Sequence, residues 1–403
     1  MPSNLARHFL LRDDVVFLNH GSFGACPRPV FETYQAFQRE LEAQPVAFLG
    51  RELSGRMRIP RVELAEFLGT SPENLVGVVN ATTGLNIVAQ SLALQPGDEI
   101  LTTDHEYAAL EKTWAFVARR TGARIVTVKV PLPLVSEAAF TEAIVSGFTE
   151  RTRVLFLSHI TSPTALLFPI ERALAEARNR GILSVIDGAH APGQIPLALD
   201  ALGADFYSGN CHKWIMSPKG SAILHARPEV QSLLDPIVVS HGWTSESKSP
   251  GARGTYGNSP FIDEIEMQGT RDPSAWLAVP AALAFRREHD WDAVIAASTA
   301  LAQETAGRVA DLTGLPPLAA PEFCAPQMVA MPVPSCDPVA IHDALLDRFG
   351  IEIPVLNWGG QSIVRVSAQG YNSREQMDIL VDALAELFEL RSSSFRIRSE
   401  TAS

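Results

Sequence analysis

Three short stretches of this 403-residue chain hold side chains that could do chemistry together. The first, Asn80-Ala81-Thr82-Thr83-Gly84, follows the apolar run 75–79 and opens a helical pattern. Two hydroxyls and a glycine at a helix start offer backbone N–H groups and the positive dipole end, which suit a phosphate. The dipole alone is worth about 0.3–1 kcal/mol to an anion. A plain N-cap without a ligand is the competing reading. The second, Asp187-Gly188-Ala189-His190, ends the apolar run 182–187. A carboxylate desolvated at a sheet edge needs a partner. A protonated ring nitrogen is one, and such a charge-assisted hydrogen bond is worth about 1.5–3 kcal/mol. An Asp that caps the next turn would explain the same residues. The third is Asn210-Cys211-His212-Lys213-Trp214. Only five of the 33 basic residues are lysine, so a lysine nucleophile has few candidates. Bringing Lys213 from about 10.4 towards neutrality takes roughly three units, or about 4 kcal/mol. That shift would serve condensation with an aldehyde; a solvated surface lysine is the alternative.

Each signal is weak alone, but their order is informative. A phosphate-type helix start, a carboxylate and a lysine, each at the end of a parallel strand, are what pyridoxal 5'-phosphate requires: an anchor, a partner for the pyridine nitrogen, and an amine for the aldehyde.

The elements that must position them alternate in type. Strands are expected at 75–79, 99–103, 124–130, 153–159, 182–187, 204–209 and 221–226, several as continuous apolar runs suited to cover on both faces. Helical stretches such as Leu85–Leu94, Ala108–Arg120 and Glu171–Arg180 lie between them. This alternation predicts an α/β fold with a mostly parallel seven-stranded sheet. Residues 240–258, rich in Ser and Gly, read as a long loop. A smaller C-terminal α+β unit follows. Its signals are Asp337-Pro338 at a helix start, strands in PQMVAMPV and SIVRVS, and a Ser373/Gln376 capping box before an amphipathic helix. The expected division is 16–284 for the large unit and 285–403 for the small one, with residues 1–15 packing against the latter.

Composition narrows the function. The net charge is −12, with no basic stripe for nucleic acid. No window nears 18 uninterrupted apolar residues, so no membrane span is expected. Residues 1–14 lack a signal-peptide core, so a cytoplasmic protein is expected. Four cysteines without CxxC spacing argue against a zinc ribbon, and ten histidines without HxxxH or HxH spacing argue against a metal-dependent hydrolase, so no metal site is assigned.

The residues FLNHGSFGACP (17–27), NATTGLN (80–86), TDHEYAALEKTW (103–114), SHITSPTALLFPI (158–170), DGAHAPGQ (187–194), SGNCHKWIMSPKG (208–220), GTRDPSAW (269–276) and VRVSAQGYN (364–372) resemble the class V aminotransferase family of fold-type-I pyridoxal phosphate enzymes. The likeness runs over nearly the whole length and is nearest the isopenicillin N epimerase-like branch. It implies the transferase fold of that superfamily and the following roles. Lys213 is the Schiff-base lysine and Asp187 the pyridine-nitrogen partner. His190 faces the cofactor's phenolic oxygen, where the desulfurase branch has Gln. Thr82, Thr83, Asn210 and His212 contact the phosphate. Tyr107 stacks on the ring, with His105 the competing choice. Thr270 reaches the phosphate of a second subunit, which implies a homodimer with shared sites. Arg365 pairs the carboxylate of an amino-acid-type substrate, and Asn19, His20 and Ser22 line the substrate side.

Cysteine desulfurases carry a catalytic Cys shortly before that arginine, whereas IPVLNWGGQSIVR (353–365) has none. Cys336, at the start of a predicted helix, is read as structural. Thr161-Ser162 also departs from the desulfurase pattern, which has Asn there. With Lys213 as base, loss of the Cα proton is the expected first step. Epimerisation and β-elimination on a cysteine conjugate are equally expected next, with transamination third. Epimerisation needs a second acid, for which Tyr107, His105 and His20 are candidates. A non-catalytic cofactor-binding module is the reading from another class.

Overall fold

The structure is a computed structural model, and it describes residues 5–244 and 251–390. Strand β1 is Val16–Phe17; β2 is Leu75–Val78, β3 Glu99–Thr103, β4 Arg124–Val128, β5 Thr152–Ser158, β6 Leu183–Asp187, β7 Phe206–Asn210 and β8 Ala222–Ala226. The last seven are the expected runs, and they form one sheet in the order β2-β8-β7-β6-β5-β3-β4. Only β8 runs against the others.

Successive residues of these strands feed two apolar clusters. Leu155 and Leu157 of β5 join one, with Ile186, Tyr207 and Ile223 from neighbouring strands. Val154 and Phe156 join the other, with Val185, Phe206 and Leu224. Side chains alternate faces along a strand, so a run that is apolar at every position is a strand covered twice. The edge strand β4 is the exception. Arg124, Ile125 and Thr127 are exposed, because no strand lies beyond it.

The C-terminal part builds a second sheet. Strands β9 (Met328–Val333), β11 (Val355–Trp358) and β12 (Gln361–Ser367) pair antiparallel in the order β11-β12-β9. Val329, Met331, Val364 and Val366 anchor a third cluster there. The capping box appears as read: Ser373 accepts from the Gln376 N–H and heads the helix Arg374–Leu387. Asp337 caps the helix Pro338–Phe349 through the Val339 and Ala340 N–H groups.

Two short strands were not legible. Val16–Phe17 pairs in parallel with β10, Ile351–Glu352. Leu18 joins the third cluster, and its N–H donates to the Glu352 carbonyl at 3.0 Å. Residues 16–18 therefore pack with the C-terminal sheet. A two-residue strand has no periodicity to read; it exists because a partner backbone satisfies it. Residues 245–250 of the expected 240–258 loop lie outside the described residues. Its far end is tied down by Asp263, whose carboxylate accepts from the Tyr256 N–H and Asn258 Nδ2.

Candidate active site

The parallel strands β2, β7, β6, β5 and β3 all end at one edge of the large sheet. Ligands of open α/β sheets bind at that edge. At the end of β2, Asn80 caps the helix Ala81–Ser91 by accepting from the Thr83 N–H at 2.8 Å. Asn210, the last residue of β7, accepts from the Ala81 N–H at 2.9 Å. Neither bond uses the Thr82 N–H. Thr82 and Thr83 are half-buried, and the Thr83 hydroxyl donates to Asn80 Oδ1 at 3.1 Å. Gly84 permits this helix to lie on β7: a Cβ there would meet Ser208 Oγ at 2.3 Å. His212 follows, nearly buried, with Nδ1 3.3 Å from the Ser221 carbonyl. Burial lowers its imidazole to about 4.

Asp187 ends β6 and is 4% exposed. Its Oδ1 accepts from the Ala189 N–H at 2.9 Å. Burial raises its acid range, opposed by that N–H and by Lys213. Lys213 Nζ lies 3.1 Å from His190 Nε2. Burial and then the Arg365 charge lower this amine, with Asp187 pulling the other way. Burial also holds His190 neutral, well below the usual range.

Arg365 reaches the site from β12. It is 5% exposed, and burial lowers it to about 10. One terminal nitrogen donates to the Ser162 carbonyl and the other to Ser22 Oγ at 3.2 Å. Ser22 donates in turn to Asn19, whose amide donates to Glu352 at 2.9 Å. The fold thus brings Asn19, Ser22 and Arg365 together from opposite ends of the chain.

His105 and Tyr107 part company. The His105 ring is fully buried against Trp358, with centroids 4.2 Å apart. Its Nδ1 pairs with the Thr164 hydroxyl at 2.8 Å. Tyr107 is 43% exposed. His20 does not stand on an open wall. It is completely buried, with Nδ1 against the Tyr371 hydroxyl and Nε2 against the Lys213 carbonyl, both at 2.9 Å. Both ring nitrogens of His20 are thus engaged within the protein. Thr270 is exposed, and no hydrogen bond of the Lys213 group reaches it. Cys336 is half-buried, and its N–H donates to Ser362.

Three contributors escaped sequence reading. Ser162 acts through its carbonyl, which any residue carries. Trp358 lies in the segment where desulfurases have their cysteine, and its indole donates to the Asp104 carbonyl at 2.8 Å. Glu106 is buried and accepts from the Thr103 and Ser158 hydroxyls at 2.7 and 2.6 Å. Burial raises its carboxyl to about 8, against the two hydroxyls and with help from Asp187. A carboxylate between His105 and Tyr107 was the available signal.

The donor set fits a phosphorylated pyridine aldehyde. A half-buried lysine, a buried acid and a helix N-terminus meet at one edge. His190 Nδ1 and Arg365 Nε are buried without a hydrogen-bond partner among the described residues. Buried polar groups are ordinarily paired, so these two nitrogens beside Lys213 are available to oxygens of a ligand.

Comparison with known proteins agrees. Residues 16–380 match the model of the aminotransferase class-V family. The chain is 37% identical over 384 residues to the isopenicillin N epimerase of Streptomyces clavuligerus, covering 94% of this chain and 96% of that one. It is 30% identical to a putative L-cysteine desulfhydrase of Oryza sativa subsp. japonica, covering 93% and 84%. The fold resembles the cysteine desulfurase CsdA of Escherichia coli, with TM-score 0.78 at 24% identity over 95% and 97% of the two chains. The chain belongs to the class-V aminotransferase family and is a pyridoxal 5'-phosphate-dependent enzyme.

Proposed function

We propose that this enzyme removes and returns the Cα proton of an amino acid or amino-acid-containing metabolite, as an isopenicillin N epimerase-like enzyme. The single observation that carries the reading is Lys213, a half-buried lysine whose Nζ lies 3.1 Å from His190 Nε2 and whose amine is lowered by burial and by the Arg365 charge, with Asp187 pulling the other way. Bound pyridoxal phosphate supplies an electron sink that weakens the bonds at Cα. The chain's residues do the rest. Arg365 holds the α-carboxylate with a planar fork. Asp187 holds the proton on the ring nitrogen. The start of the helix Ala81–Ser91, with Thr82 and Thr83, holds the phosphate, together with Asn210 and His212. Lys213 would take the Cα proton, and Tyr107 would supply the acid for the opposite face. His105 uses Nδ1 on Thr164 and packs its ring on Trp358, while its Nε2 is buried without a hydrogen-bond partner among the described residues.

Support for epimerisation comes from the epimerases at 37% identity over nearly the full length. The desulfhydrases support the second reading, β-elimination on a cysteine-derived substrate. The absence of cysteine from 353–365 speaks against desulfurase chemistry. The division into units at 284/285, a homodimer in which Thr270 serves the partner's site, and a cytoplasmic location belong to the same reading. No helix among the described residues is long and apolar enough to cross a membrane.

The deciding experiment incubates the holoenzyme with an amino-acid panel in D2O while following Cα deuteration, optical rotation, pyruvate and ammonia. Deuteration with inversion and no pyruvate supports epimerisation. Pyruvate with ammonia establishes elimination instead. No deuteration with any amino acid, or unchanged cofactor absorbance in Lys213→Ala, overturns the reading.

A further inference from the structure

His20 and Tyr371 lie outside the reacting groups, yet they converge on the loop that carries Lys213. The loop follows β7 and has few regular hydrogen bonds of its own. Its residue Met216 sits at φ +65°, where non-glycine residues are uncommon. Within the loop the Met216 N–H donates to the Lys213 carbonyl and the Ser217 N–H to the Cys211 carbonyl, both at 3.1 Å. Two carbonyls are also held from outside. The Trp214 carbonyl accepts from Arg286 at 2.7 Å. The Lys213 carbonyl accepts from His20 Nε2 at 2.9 Å.

The hydrogen bonds define the tautomer of His20. The Lys213 carbonyl can only accept and the Ala25 N–H can only donate to Nδ1, which together put the proton on Nε2, where the Gln369 amide nitrogen also lies at 3.3 Å. Nδ1 is then a lone pair, which receives the Tyr371 hydroxyl at 2.9 Å and the Ala25 N–H at 3.3 Å. Burial and the nearby cations Lys219, Lys213 and Arg286 keep the ring neutral, apart from the Lys213 carbonyl, which favours the charged form. Burial keeps the phenol protonated, so it is a standing donor. Packing closes the arrangement. The His20 ring lies 5.0 Å from that of Trp214. Gly24, at φ +70°, allows the segment to turn flat against the loop: a Cβ there would meet the His212 carbonyl oxygen at 1.9 Å.

We propose that His20 and Tyr371 are a positioning pair for Lys213. Tyr371 fixes the imidazole with its proton on Nε2, and that N–H fixes the main chain of the reacting lysine. The inference rests on the assignment of Lys213 above. The pair joins three distant parts of the sequence: the segment after β1, the lysine loop, and the turn after β12. Because Tyr371 follows the strand that carries Arg365, the carboxylate anchor and the lysine share one support.

The test uses the full chain stripped of cofactor and the reloaded holoenzyme. Glutamine places an amide N–H where the imidazole has Nε2, whereas leucine keeps bulk without a donor. The rate at which added pyridoxal phosphate becomes borohydride-trapped on Lys213 is measured, with kcat and KM for Cα deuteration of the best panel substrate. His20→Leu should slow trapping and kcat about tenfold, equivalent to about 1.4 kcal/mol, with KM little changed. His20→Gln should restore most of both. Equal losses in the two variants would show that only ring packing matters, and would overturn the proposal. So would wild-type rates in His20→Leu. Should the leucine variant fail to fold, Tyr371→Phe decides: slower trapping upholds the pair, and an unchanged rate overturns it. Mass analysis of trapped wild type tests the lysine assignment separately.

Discussion

The amine of Lys213 lies 3.1 Å from the imidazole of His190; the histidine is buried and the lysine half-buried. A charged ammonium would have to be desolvated there beside the Arg365 guanidinium. The geometry therefore favours the neutral amine, the form that attacks an aldehyde.

Attachment of pyridoxal phosphate to cofactor-free protein should accelerate with pH through a midpoint near 7, the value to which burial and Arg365 bring the lysine. Arg365→Met removes the second cause and should move the midpoint up. The unfolded chain binds a proton at Lys213 that the fold does not, between about pH 7 and the ordinary lysine value. The lysine's contribution to cofactor-free stability should accordingly rise with pH across that window and level off above it. Stopped-flow absorbance reads the first effect; a midpoint that stays put or falls in the arginine variant refutes the charge coupling.

Asp187→Asn should retain the Ala189 N–H contact and lose the negative charge. A charge-assisted hydrogen bond is worth about 1.5–3 kcal/mol, so Cα exchange should slow roughly ten- to a hundredfold. Since Asp187 raises the lysine, the attachment midpoint should also drop. Exchange at the wild-type rate would remove Asp187 from its role.

Arg365→Ala should raise KM for α-amino acids by one or more powers of ten, each about 1.4 kcal/mol. The matching amines without a carboxylate should bind equally well to both proteins. Arg365→Lys should not rescue, because one ammonium cannot span Ser162, Ser22 and a carboxylate together. Parallel KM changes for acids and amines would argue for general damage instead.

Trp358→Ala should loosen the β11–β12 hairpin. The indole supplies both the ring against His105 and the bond to the Asp104 carbonyl. Loss of this half-buried side chain should cost about 1–2 kcal/mol and speed amide exchange at 355–361. Protection equal to wild type in that hairpin would show that β12 alone holds it.

The sequence by itself determined the large sheet, because strands covered on both faces are apolar at every position and stand out as runs between helices. It also determined which side chains end those strands, and hence Asp187, Lys213 and the Thr82-Thr83 turn: residues fixed to a strand end need only the strand to be placed. The caps at Asp337 and Ser373 were equally local. Tertiary structure alone decided the rest. Nothing between residues 20 and 371 in the chain foretells that His20 faces Tyr371, since both are buried by packing of remote segments. The short strand β1 exists only through β10. His105 and Tyr107, alike in sequence, differ in burial because Trp358 covers His105. Hydrogen bonds to carbonyls, as at Ser162, Lys213 and Trp214, leave no mark in residue type, because every residue carries that acceptor.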